Sequence, residues 1–149
     1  PTSISQASTE IVVRREGGTV ATIQTPLAGF AGKELTGLID LSNSDSSVKT
    51  VTIQLLKNEK YEANDKANNS IVVSQKIIPL ESVVMQRFNL CIPHLLTANF
   101  STSLVAVSYS LEFLFTGKQS SWKWAAQFDL GPPEYSQTKP RTPFQKIKE

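Results

Sequence analysis

The sequence predicts an all-β protein, an antiparallel β-sandwich of about eight strands with an immunoglobulin-like topology open to it. Three observations carry that expectation. Apolar residues recur with a period of two rather than the roughly 3.6 of a helix. The alternating runs are separated by clusters of glycine, asparagine, aspartate and serine, which favour turns. No segment shows a helical stripe with caps.

In chain order, strands are expected at Glu10 to Arg15, Thr19 to Thr25 and Glu34 to Ser42, the first two joined by a tight hairpin at Gly17-Gly18. After the turn-forming run Ser42 to Ser47, Val51, Ile53 and Leu55 alternate with Thr50, Thr52 and Gln54. Asn64 to Asn69 has turn chemistry again, followed by strands at Ser70 to Ile78 and at Val83 to Ile92. The longest alternation is Val105, Val107, Tyr109, Leu111, Phe113 and Phe115; past Thr116-Gly117-Lys118 comes Trp122, Trp124, Ala126, Phe128 and Leu130. Each run buries one face, so Val107, Tyr109, Leu111, Phe113, Trp124 and Phe128 are expected between the two sheets. From Gly131-Pro132-Pro133 the alternation stops, and prolines cannot serve a central strand. The division expected is a sandwich domain at 1–131 and a flexible proline-containing tail at 132–149.

At 149 residues the chain is the size of one domain, long enough to bury roughly two-thirds of its unfolded surface. No apolar run approaches the ~20 residues needed to cross a bilayer as a helix. Fifteen basic and thirteen acidic side chains leave a charge of +2. Lys139, Arg141, Lys146 and Lys148 against Glu134 and Glu149 place all of it in the tail. A neutral body does not suggest nucleic-acid binding, which needs a concentrated basic surface. Cys91 is the only cysteine, which excludes an intrachain disulfide and multi-cysteine zinc, and favours an intracellular compartment. Starting at Pro1 without a methionine or a signal-like segment, the chain reads as a piece cut from a longer one.

Catalysis requires a nucleophile, a base and something to stabilise the transition state. His94 is the only histidine and follows Pro93 at a strand exit, where an ordinary loop role is expected. Cys91 lies three residues from it; a Cys/His dyad is conceivable, but a small buried thiol in a strand is the commoner arrangement. Phosphate-loop, dinucleotide and nucleophile-elbow motifs are absent, and no acidic cluster has metal spacing. No enzyme activity, cofactor or metal is expected. Trp122 and Trp124 on one strand face suggest core packing rather than a platform for bases or sugars. Two glycosylation sequons begin at Asn68 and Asn99, although the cysteine count argues against secretion.

One linear motif has a mechanism. Pro132-Pro133-Glu134-Tyr135 is a P-P-x-Y segment, pre-extended as polyproline II, whose Pro132, Pro133 and Tyr135 suit the aromatic groove of a WW domain. The alternative is a turn that stops the last strand.

Three segments carry a family resemblance: Ala28-Gly29-Phe30-Ala31-Gly32-Lys33-Glu34-Leu35-Thr36-Gly37, Arg87-Phe88-Asn89-Leu90-Cys91-Ile92-Pro93, and Val107-Ser108-Tyr109-Ser110-Leu111-Glu112-Phe113. In this order they resemble the glycine-flanked strand entry, the F-x-L-x-I-P strand and the V-x-Y-x-L-x-F strand of the C-terminal half of arrestin-like proteins. Among these the chain looks most like the reduced-growth-phenotype subunit of the Golgi Rab guanine-nucleotide exchange complex. The opening strand with its glycine turn and the Trp-containing closing strand fit the same pattern. The resemblance spans about Ile11 to Leu130 and implies an arrestin-type sandwich with no catalysis of its own. It would bind a larger subunit of a trafficking complex and, with it, a Rab GTPase. Location would be cytoplasmic, peripheral to Golgi or endosomal membranes, with membrane association only through partners. Two departures open alternatives. The P-P-E-Y segment is more typical of arrestin-related adaptors that recruit WW-domain ubiquitin ligases, and no N-terminal arrestin half is present. A secreted or viral β-sandwich using P-P-E-Y as a budding motif is the alternative from a different class.

Overall fold

Alternating β-branched and aromatic residues stand well on a pleated surface with one face buried, and the chain follows that preference almost throughout. The computed structural model describes residues 8–45, 47–61, 64–102 and 104–132. Among them are ten strands and no helix: β1 (Thr9–Arg15), β2 (Gly18–Thr25), β3 (Ala28–Phe30), β4 (Glu34–Asp40), β5 (Val48–Tyr61), β6 (Asn64–Pro79), β7 (Met85–Cys91), β8 (Phe100–Ser101), β9 (Val105–Gly117) and β10 (Ser121–Gly131).

These strands form two sheets. One has the order β1-β2-β4-β7; the other runs β3-β10-β9-β5-β6, with β8 also paired to β9. Inward-facing side chains interlock between them. Ile23, Leu35, Ile39, Phe88 and Leu90 on the smaller sheet and Val51, Ile53, Leu55, Tyr109, Leu111, Phe113, Phe115 and Phe128 on the larger belong to one buried cluster. The architecture is all-β and sandwich-like, as the alternation predicts. Val107, Tyr109, Leu111, Phe113 and Phe128 are buried as expected, but Trp124 is only half-buried, packed against the edge of the core, while Phe128 further along the same strand is fully buried.

Four expectations need correction. Among the described residues there are ten strands where about eight are expected; the two additional ones, β3 and β8, of three and two residues, are too short to show a period. Pairing is not wholly antiparallel, since β3 runs parallel to β10 through Asp129↔Ala28 and Gly131↔Phe30. Asn64 to Asn69 is not a turn: β6 includes it, and Glu59↔Asn69 and Tyr61↔Asn64 continue the β5 ladder. A long partner strand that satisfies the backbone outweighs the local turn preference of asparagine side chains. Cys91 is exposed rather than buried, since it takes the outward position between inward-facing Leu90 and Ile92.

The expected hairpin is present. Arg15 pairs with Gly18, and Gly17 takes a φ of 81° that a residue with a Cβ adopts only under strain. After β4, the Asp40 carboxylate is held below its ordinary pKa by hydrogen bonds from Ser42, first from its hydroxyl and then from its N–H at 2.8 Å. The expected tail, with Pro133 and Tyr135 of the P-P-E-Y segment, lies outside the described residues; Pro132 is exposed just past the end of β10.

Candidate functional site

Two strands end their sheets on the same side of the molecule: β7 closes the smaller sheet and β6 the larger. Their edges run antiparallel, joined at one end by the chain itself through residues 80–84 and bridged at the other by two side-chain hydrogen bonds. Ser74 Oγ donates to the Cys91 carbonyl at 2.5 Å, and Lys76 Nζ donates to Asn89 Oδ1 at 2.6 Å. Beyond these bridges lies a cleft of about 630 Å³, lined on one side by Ile77, Ile78 and Pro79 and on the other by Gln86, Arg87 and Phe88. Thr36 and Gly37 of β4 also contribute to its lining.

The sequence builds this cleft in an identifiable way. Gly37 pairs with Phe88, and a Cβ there would overlap both the Gln24 carbonyl and the Phe88 ring, so the glycine lets that ring lie flat against β4. Ile78 and Phe88 belong to the core and form an apolar floor. Lys76 and Arg87 are the charged residues of the lining, and both are basic. Ile77, Val84 and Met85 on these same strands and the turn before β7 are 60%, 61% and 56% exposed, far more than a strand with a settled neighbour leaves its large apolar side chains.

The backbone matters as much as the side chains. Along a strand, a residue and its second neighbour point their N–H and C=O groups the same way. The Cys91 carbonyl faces β6, so Asn89 and Arg87 present their backbone groups to that open side too. The Arg87 carbonyl is capped there by the side chain of Gln86, whose Nε2 donates at 2.8 Å.

The single histidine and the single cysteine are not assembled into a dyad. Cys91 Sγ donates to Glu34 Oε2 at 3.9 Å, while the His94 ring covers Gly32, which has a φ of 86°. Among the described residues no group of three or more histidine, cysteine, aspartate or glutamate side chains is placed to hold a metal. Trp122, half-buried on β10, forms one wall of a second cleft of about 510 Å³ with Arg15, Asp45, Ser47 and Lys118. Arg15 and Asp45 in its lining form a 3.1 Å ion pair. The sequon at Asn99 is occupied structurally: Asn99 Oδ1 accepts from the Leu130 N–H at 2.6 Å and its Nδ2 donates to the Phe128 carbonyl at 3.4 Å, so the amide nitrogen that would carry a glycan is bonded to β10.

No protein-family model matches the chain, and no curated protein matches it significantly. The β6/β7 cleft escaped sequence reading because β6 and β7 are expected individually, whereas which strand ends each sheet depends on pairings distant in the chain. The one available signal was Ile77, an apolar residue out of phase with Ile78 and Lys76.

Proposed function

We propose that this chain is a non-catalytic interaction module of a trafficking complex, arrestin-like in type, that binds a larger subunit and acts with it on a Rab GTPase. The observation that carries the interaction half of this reading is the β6/β7 cleft, an apolar slot with a basic rim between two strand edges. A slot of this kind suits a protein segment better than a small polar substrate. The trafficking half rests on the three segments that resemble arrestin-like proteins. They supply Gly37, Phe88 and Phe113, which lie together: Phe88 is against Gly37 and meets Phe113 edge to face. The cytoplasmic, Golgi- or endosome-peripheral location is part of the same proposal.

A second reading is an adaptor that recruits a WW-domain ubiquitin ligase. It is favoured by the position of the P-P-E-Y motif, which begins at exposed Pro132 directly after β10, outside the sheet. Affinity purification of the full-length protein, with its stoichiometric partner identified, tests both. A Rab-exchange subunit supports the first reading, and a WW-domain ligase lost on Tyr135→Ala supports the second. Recovery of neither would overturn both.

A further inference from the structure

A strand at the edge of a sheet exposes a row of N–H and C=O groups, and folds usually blunt such a row. Here β1 carries a bulge at Val13/Arg14, and β6 has one at Val73, between the partners of Leu55 and Leu56. β7 is bonded to β6 through Ser74–Cys91 and Lys76–Asn89. β10 has none of these devices. Its register against β9 is unbroken from Ser121 to Phe128, and β3 covers its other side only from Asp129 to Gly131. The Asp129 N–H donates to the Leu27 carbonyl and the Gly131 carbonyl accepts from the Ala31 N–H, so these two residues turn their backbone groups away from β9. Backbone direction alternates along a strand, so Ser121, Lys123, Ala125 and Gln127 face the same way. Among the described residues no strand or loop bonds to them there. Trp122, Trp124 and Ala126 point inward beside this edge, each only half-buried, with the Trp124 ring 6.0 Å from Phe113.

We infer that a second copy of this chain occupies the edge, the two β10 strands pairing antiparallel about a two-fold axis at Trp124. The residues themselves select that register. Only Ser121, Lys123, Ala125 and Gln127 offer backbone groups, so they must oppose one another, and a slip of one residue would break the ladder and exchange the faces. A slip of two residues one way sets Lys123 against Lys123 of the partner subunit, like charges directly opposite. A slip of two the other way sets Trp122 against the partner's Phe128, level with Leu27, which already takes that side. The register between them has neither fault. Lys123 opposes the partner's Ala125, Ser121 the partner's Gln127, and Trp122 the partner's Ala126, large against small. Trp124 meets the partner's Trp124 at a non-hydrogen-bonded pair, where cross-strand side chains come closest and aromatic pairs stabilise. Each Lys123 stays beside Glu112 of its own β9, 3.8 Å away, which offsets the diagonal approach of the two lysines. The β6/β7 cleft lies at the opposite end of the strand order, so it remains open to a larger partner.

Sedimentation of the full chain over a concentration series tests the pairing. The unaltered chain should pass from monomer to dimer. As it does, amide exchange at Lys123 and Ala125 should slow, and a tryptophan exciton couplet should grow in the circular dichroism spectrum. The Ala125 N–H faces away from β9, so Ala125→Pro removes no bond of its own sheet. It should raise the dimer dissociation constant by about tenfold or more and abolish the couplet, with the core amide signals in place. A chain that stays monomeric at every concentration overturns the inference, as does an unaltered dissociation constant in Ala125→Pro. Exchange at Lys123 and Ala125 that does not change with concentration overturns it without any variant. Protection of these amides only in the purified full-length complex would assign the edge to a different protein, against self-pairing.

Discussion

Phe88 of β7 and Phe113 of β9 meet edge to face between the two sheets, their ring centroids 5.4 Å apart at an interplanar angle of 75°. This is the arrangement that the ring quadrupoles favour, and Phe113 is also 6.0 Å from Trp124. The pair joins the two sheets at the centre of the core. Phe113→Ala should therefore cost about 3–5 kcal/mol through lost burial and the cavity left behind. A urea melt measures it, and a loss below about 1 kcal/mol would show that this contact is peripheral.

Gly37 sits where β2, β4 and Phe88 converge. Gly37→Val places a side chain into the Gln24 carbonyl and the Phe88 ring, and backbone cannot yield as a flexible side-chain tip does. Overpacking of this kind costs about 1–3 kcal/mol, and it should reposition Phe88 at the floor of the cleft. Stability equal to the unaltered chain in the same melt would mean that β2 and β4 separate freely.

Ser82, in the turn before β7, has a φ of 65°, in the left-handed region. A side chain there is strained, and glycine removes the strain while returning some entropy to the unfolded chain. The expected result for Ser82→Gly is a gain of up to about 1 kcal/mol. A thermal melt showing a clear loss would contradict it.

Lys57, Glu59 and Tyr61 share the inward face of β5 near the end of the strand. The Tyr61 hydroxyl donates to Glu59 Oε1 at 2.9 Å, and Lys57 Nζ is 3.3 Å from Glu59 Oε2. The hydrogen bond from Tyr61, followed by that from Lys57, holds the Glu59 carboxyl below its ordinary value, and the same bond to Glu59 pushes the Tyr61 phenol up. Glu59 thus stabilises the fold fully above the ordinary glutamate pKa, and this is lost as pH falls through its depressed value. Tyr61 stabilises it fully below the ordinary phenol pKa, and this is lost as pH rises through its raised value. Carbon-detected NMR titration of Glu59 should show its midpoint rise in Tyr61→Phe; an unmoved midpoint would refute the coupling.

Deletions from the chain end test the domain boundary expected near Gly131. The Gly131 carbonyl accepts from Ala31 N–H, and β10 also pairs with β3. Deleting residues 133–149 should leave the melting temperature unchanged. Deletion from Phe128 onward removes two core side chains and should unfold the chain. A large drop from the shorter deletion would move the domain boundary into the tail.

Period-two alternation by itself determined the all-β class, eight of the strands and most of the core, because a pleated strand with one buried face forces that spacing locally. It placed Tyr109, Leu111, Phe113 and Phe128 inside, and the structure has them there. Only the tertiary structure decided what depends on coverage and order. Trp124 alternates as regularly as Phe128, yet only Phe128 is fully buried, because the alternation fixes which face a side chain takes and not how much packs over it. Asn64 to Asn69 extends a ladder instead of turning, because the end of β5 supplies its partners. The cleft is the strongest case. Lys76 and Arg87 are eleven residues apart in the chain and line one cleft because β6 and β7, joined by residues 80–84, end two different sheets.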